Sequence, residues 1–329
     1  MTSVLSLDNA TFIRPSSFFI NGLYNIPHAK YYYIFLCFVY VMTVLGNSAI
    51  MGTIYLAHTL HTAKYIAVFN LALCDVCGSS AVIPKYADMF LFNNQYISFE
   101  DCLANMFFVF LFMTMQSLTL LALAYDRVIA ICFPLRYHDI VTKTTMVLII
   151  GGMWFFSVSL VGLMVALITR LSFCRTTIVD SYFCDHGPII SLACNDKSPN
   201  YKMSFVYSGV VLGIPLILIA FSYVCIGLAV LKISHGIERI KALKTCTSHI
   251  VLVAMFYLPI FSTYASTIAT NINPNTRIIN SVLTQTIPSM LNPIVYTMKT
   301  EEVLMSIKAL YKQMKLSSMD ESVKGIMKN

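Results

Sequence analysis

Long uncharged runs separated by short polar breaks dominate the chain. The first, YYYIFLCFVYVMTVLGNSAIMGTIYL, carries no charge at all. Runs of this kind lie at roughly 31–56, 64–90, 103–127, 144–168, 203–231, 245–269 and 278–298. Crossing a bilayer takes about 20 helical residues, because backbone polar groups must pair internally where no water can serve them. All seven runs qualify, so the pattern predicts an all-α membrane protein, a seven-transmembrane helix bundle. Beyond the seventh run, Val303, Leu304, Ile307, Leu310 and Tyr311 share one helical face. Glu301 and Glu302 open that stretch and Lys308, Lys312 and Lys315 follow, which suits the helix dipole. A short amphipathic helix on the inner leaflet is predicted. The expected division is a tail outside the membrane at 1–30, the membrane-spanning bundle at 31–298, and an inner helix and tail at 299–329.

Composition agrees. The chain is 57% hydrophobic and 11% charged, against about 25% charged in a soluble domain. Seven crossings put the two termini on opposite faces. With the N-terminus outside, Lys64, Arg127, Arg136, Lys143, Lys232, Arg239, Lys241, Lys244 and the six lysines after residue 298 face the cytoplasm, a majority of the 22 basic residues. The sequon Asn9-Ala10-Thr11 would then be glycosylated outside. The net charge of +7 follows from topology, so no nucleic-acid partner is expected, and the plasma membrane is the expected location.

The ten cysteines sort by compartment. Cys102, Cys174, Cys184 and Cys194 fall outside, where disulfides persist, and four cysteines allow three pairings. Cys74 and Cys77 lie within a span with no partner pair and read as ordinary packing. Inner connections at 57–63, 132–143 and 232–244 are too short for a cytoplasmic domain. The outer loop at 169–202 holds three of the four outside cysteines.

From Cys102 to Arg127 a helix rises about 37 Å. Cys102 therefore belongs at the outer rim and the pair Asp126-Arg127 at the inner rim. Here the residues carry a resemblance. AYDRVIAICFPLRY resembles the most recognisable motif of vertebrate olfactory receptors, a branch of the rhodopsin-like (class A) G-protein-coupled receptors. Gly46-Asn47, LHTAKYIAVFNLALCDV (60–76), Pro84-Lys85, KALKTCTSHI (241–250) and PSMLNPIVYTMKT (288–300) agree with it in order. The match covers about residues 40–312.

The resemblance implies disulfides Cys102–Cys184 and Cys174–Cys194. It implies that Arg127, held by Asp126 at rest, frees itself to meet a G protein as span six swings outward. Tyr223 and Tyr296 match tyrosines that engage this change, and Lys241, Lys244 and Thr245 border the G-protein cavity. The family couples to a stimulatory G protein that raises cyclic AMP. Two positions depart from its pattern: Val128 follows Arg127 where Tyr is usual, and Gln116 stands where a second acid is usual.

Asp75 is the acid deep in a span, a functional candidate by default. Asn47 and Asn292 match its polar surroundings. A sodium ion or a proton could sit there with Gln116, and polar packing alone is the other reading. No cofactor is otherwise expected. His58 and His61 match a family loop motif, and no metal is expected on them.

A ligand cavity is expected among the outer halves of spans three, five and six. Val109, Phe110, Met113, Thr114 and Ser117 follow helical spacing along span three. Ser204, Tyr207 and Ser208 come from span five, and Tyr257, Ile260, Phe261 and Tyr264 from span six. His186, just after Cys184, matches a loop residue that dips towards the ligand. Tyr257 is expected beneath the ligand as a toggle. Aromatic, aliphatic and hydroxyl groups suit a small odorant. The cavity lacks an obvious charge: Ile268 stands where some relatives place a carboxylate-binding Arg, and Arg277 lies at the rim. A neutral or weakly polar ligand is expected. The same receptor type could serve as a chemosensor outside the nose. A transporter or channel would need repeats or several intramembrane charges, and an enzyme a nucleophile–base pair, and the sequence offers none of these.

Overall fold

The computed structural model describes residues 13–22, 28–92, 94–174, 176–232, 236–268, 274–299, 302–309 and 312. The side chains at 86, 90, 238, 241, 245, 264–268, 274, 277, 298 and 299 lie outside the description.

Seven long helices form one bundle. Span one is Ala29–Leu56, span two Ala63–Phe92, span three Phe99–Cys132 and span four Lys143–Ala166. Span five runs Ser198–Leu231, span six Gly236–Ile268 and span seven Pro274–Lys299. The first six are long and apolar enough to cross a membrane. The seventh, 26 residues long, is more polar and packs against spans one, two and six. Side-chain caps open two of the helices. Ser98 Oγ accepts from Asp101 N at 3.1 Å, with Glu100 and Asp101 in the first turn of span three. Thr142 Oγ1 accepts from Thr145 N in the same way.

The helices overrun the apolar runs. Span three continues past Asp126-Arg127 to Cys132, and span six begins at Gly236. The edge of the hydrocarbon does not end a helix, because its internal hydrogen bonds persist in water. Most of the inner connection expected at 232–244 is therefore helix.

Span five is interrupted at Gly209–Gly213 by a π-turn, in which Ile214 N donates to Gly209 O. Pro215 follows and has no N–H to offer the Val211 carbonyl four residues earlier. Ser117 Oγ donates to that carbonyl from span three instead. Elsewhere the spans are pinned by similar polar bonds. Asn70 Nδ2 donates to Thr119 Oγ1 at 2.8 Å, and Trp154 Nε1 donates to Asn70 Oδ1 at 2.9 Å, joining spans two, three and four. Span one approaches span seven closely at Gly46, where a Cβ would stand 3.1 Å from the Pro293 ring.

The end of the bundle expected to face outward, the outer end, carries a three-stranded sheet. β1 (Ser17–Ile20) lies between β2 (Tyr96–Ser98) and β3 (Ile178–Val179). It pairs antiparallel with β2, Ser17 opposite Ser98, and parallel with β3, Phe19 opposite Ile178. Phe18 and Ile20 are buried in the outer core, so this part of the expected tail is a packed strand. The long outer loop is tied down by disulfides Cys102–Cys184 and Cys174–Cys194 and contains a short helix, His186–Leu192. At the inner end, residues 302–309 are helical and Val303 is fully buried. The expected glycosylation site, Asn9, lies outside the described residues.

Candidate functional site

A cavity of about 370 Å³ opens near the outer end of the bundle. Of the residues expected to line it, Phe110, Met113, His186, Ser204, Tyr207, Ser208 and Ile260 do so. Val109, Thr114, Ser117 and Tyr257 do not. Val109 turns into the outer core beside Cys102 and Met106. Thr114 is buried behind the wall, its hydroxyl 2.9 Å from that of Tyr207. Ser117 and Tyr257 sit a turn deeper, where spans three, five and six close on one another. Tyr257 donates to Ser117 Oγ at 2.8 Å, since the Ser117 proton goes to Val211 O. The side chain of Tyr264, and those of Ile268 and Arg277, lie outside the described residues. Phe261 is exposed on the outside of span six.

The structure adds walls that a stripe on spans three, five and six does not reveal. Span seven contributes Ile278, Ser281, Thr284 and Gln285, and span four contributes Met164. The disulfide-bound loop folds Phe183 over the top and brings Asp180 and Asp185 to the wall. The described wall therefore carries two carboxyl side chains. His186 is buried, its Nδ1 2.9 Å from Ser204 Oγ, and burial lowers its pKa to about 4. The ring is neutral at ordinary pH.

Below the cavity lies a gap of about 10 Å³, lined in part by Met113, Gln116, Gln285 and Ser289. Beyond it is the fully buried Asp75. Gln116 Nε2 donates to Asp75 Oδ1 at 2.7 Å, and Asn292 Nδ2 donates to Oδ2 at 2.8 Å. Asn47 turns away, donating to Thr43 O and Ser289 O. A hard cation takes oxygen ligands, whereas the amides present N–H groups to both carboxylate oxygens. As arranged, these residues do not fit a sodium ion.

At the inner end Asp126 is buried, and its Oδ1 accepts the Tyr137 hydroxyl at 2.7 Å. Burial first, then the Asp126 carboxylate, push the Tyr137 phenol well above its ordinary pKa. Arg127 Nε stands 3.8 Å from Asp126 Oδ2, a loose ion pair. Val128 packs beside Ile226, Val230 and Cys246. The Tyr223 hydroxyl lies 2.6 Å from His249 Nδ1, whose other nitrogen donates to Leu120 O at 3.0 Å. That carbonyl fixes the tautomer, so Nδ1 accepts from Tyr223. The Tyr296 hydroxyl is buried with no hydrogen-bond partner among the described residues. Lys244 is exposed, and the side chains of Lys241 and Thr245 are outside the description.

Sequence reasoning missed Tyr137, His249 as a partner of Tyr223, and Glu302. Glu302 accepts from Lys64 Nζ at 3.0 Å and Tyr65 OH at 2.5 Å, which lowers its pKa, the Tyr65 bond contributing most. Tyr137 lies in the quoted motif, but its reach back to Asp126 depends on the loop's turn after Pro134.

A family model described as olfactory receptor matches residues 36–314. The chain is 34% identical over 270 residues to olfactory receptor 1C1 of Homo sapiens, covering 82% of this chain and 85% of that protein. It is 35% identical over 304 residues to olfactory receptor 52B2 of Homo sapiens, covering 91% and 93%. Against olfactory receptor 1468 of Rattus norvegicus the identity is 34% over 300 residues, covering 90% and 94%.

Proposed function

The chain belongs to the olfactory receptor family of G-protein-coupled receptors, and on that footing we propose how it senses and signals. A small uncharged odorant occupies the outer cavity and favours the arrangement in which span six moves away from span three. The inner crevice then admits a stimulatory heterotrimeric G protein, which raises cyclic AMP. A ligand shifts such an equilibrium only by its differential affinity for the two states, a few kcal/mol for a strong response.

One observation carries this reading. A largely apolar cavity lies at one end of span three, and Asp126-Arg127 lies at the other. The loose hold on Arg127 suits a side chain that must leave Asp126, while Tyr137 keeps the buried carboxylate paired. Leu135, 98% exposed just before Tyr137, offers the same G protein an apolar contact. Asp180 and Asp185 on the wall disfavour anions, in keeping with an uncharged ligand. In this reading the N-terminus, with the sequon at Asn9, faces outside, which is supported by the position of both disulfides at the cavity end, since disulfides persist on the oxidising side. Lys241, Lys244, Thr245, Tyr223 and Tyr296 are assigned to the inner crevice.

The test is a cyclic-AMP reporter in cells carrying wild type or Arg127→Ala at equal surface level. The expected result is an odorant response in wild type and none in the variant. Equal responses would remove Arg127 from the mechanism.

A further inference from the structure

Gln285 occupies an unusual place in the cavity. It lies on span seven at the cavity wall and also borders the narrow gap underneath. A primary amide offers two N–H donors and an oxygen with two lone pairs. Among the described residues its side chain makes one hydrogen bond, from Nε2 to Met113 Sδ at 3.6 Å. Thioether sulfur is a weak acceptor. Three other polar side chains of the cavity are already committed. Thr284 donates to Asn280 O at 2.8 Å, Tyr207 meets Thr114 at 2.9 Å, and Ser204 meets His186. His186 Nε2 is also without a partner among the described residues, but it is sealed from the cavity space.

We propose that Gln285 is the polar anchor of the cavity's ligand, and that this ligand is an uncharged molecule whose oxygen both donates and accepts a hydrogen bond. An alcohol fits this description and an ether does not. The proposal rests on the reading of the cavity as the odorant site. The ligand's O–H meets the free amide oxygen, and the amide N–H turns from sulfur to the ligand's oxygen. The hydrocarbon part lies against Phe110, Leu212 and Ile260. An ether of equal size leaves the amide oxygen unpaired while covering it from water, which costs binding. The anchor is also well placed to report occupancy. Ser289, one helical turn further along span seven, and Gln116 line the same gap, and Gln116 donates to Asp75.

Heptan-1-ol and 1-methoxyhexane are isomers and make a matched pair of probes. Their affinities are read from the concentration dependence of thermal stabilisation of the purified receptor in lipid nanodiscs. Wild type should bind the alcohol about tenfold more tightly, as one neutral hydrogen-bond pairing warrants. Gln285→Leu should bring the two isomers to within about twofold of each other, with ether binding retained or strengthened because no amide is left unpaired, which also shows that the variant is folded. Gln285→Met is read identically if the Leu variant does not melt cooperatively. Ile260→Trp fills the cavity and should abolish binding of both isomers. A tenfold preference that survives in Gln285→Leu overturns the anchor, as does its absence from wild type. A folded Gln285 variant that loses both isomers equally overturns it too, because the residue would then supply shape and not polarity. Binding untouched by Ile260→Trp, or no binding of either isomer to wild type, overturns the cavity reading itself.

Discussion

Replacing Ser117 with alanine removes one hydroxyl that serves three helices. Ser117 Oγ donates to Val211 O on span five and accepts from Tyr257 OH on span six. All three positions are buried, with Ser117 at 0% and Tyr257 at 2% exposure. The variant leaves a carbonyl that Pro215 cannot serve and a phenol with no acceptor. Hydrogen bonds between membrane helices are worth about 0.6 kcal/mol on average and up to about 1.7. With two bonds lost, Ser117→Ala should cost about 1–3 kcal/mol. Tyr257→Phe loses one of them, and should cost correspondingly less in wild type and almost nothing in the Ser117→Ala background. Melting of the four proteins closes a double-mutant cycle, with an expected coupling of at least about 0.6 kcal/mol. The Ser117–Tyr257 bond also ties span six to span three, so both single variants should raise cyclic AMP without ligand. Additive losses, together with unchanged basal signalling, would refute the assignment of this bond as a restraint on span six.

Two further outcomes follow from groups outside the spans. His186 has a folded pKa of about 4 against 6.5 for the free side chain, because it is buried. The unfolded chain therefore binds more protons between those values. The contribution to stability is complete above pH 6.5, falls as the pH drops towards 4, and amounts to roughly 3 kcal/mol. Melting followed from pH 7.5 to 4.5 should show a shallower decline in His186→Asn than in wild type, and equal slopes would exclude this source. At the inner end, Glu302→Ala frees residues 302–309 from both Lys64 and Tyr65, whereas Glu302→Gln keeps a bond to Tyr65. Amide hydrogen exchange over that helix should rise strongly in the first variant and weakly in the second. Equal rates in wild type and Glu302→Ala would show that Val303 alone holds the helix.

The bundle was legible because a bilayer imposes a simple code: uncharged stretches of helical length. The code says where a helix meets lipid and not where it stops, which is why spans three and six run on past their apolar runs. On spans three, five and six, helical spacing identified part of the cavity wall. It could not resolve depth. Phe110 and Met113 face the cavity, yet Ser117, one turn below on the same stripe, is sealed where the helices converge. Span seven is polar along much of its length, so no stripe singles out Thr284 and Gln285. Asp180 and Asp185 reach the wall because two disulfides fold the loop inward. β1 and β3 are 4 and 2 residues long, and each is a strand only because a distant segment pairs with it.

That outer sheet has a consequence for synthesis. Asn21 at the end of β1 bonds to Asp180 beside β3, 159 residues later in the chain. At about 5–20 residues per second, the ribosome needs roughly 8–32 seconds to supply the partner once β1 has emerged. β2 arrives about halfway through that interval and can hold one edge. The other edge waits, with Phe18 and Ile20 uncovered, until the four long helices that separate β1 from β3 have been made. A stall between those helices would leave an adhesive strand on display, so the newborn chain is most vulnerable to aggregation at a stage fixed by its own topology.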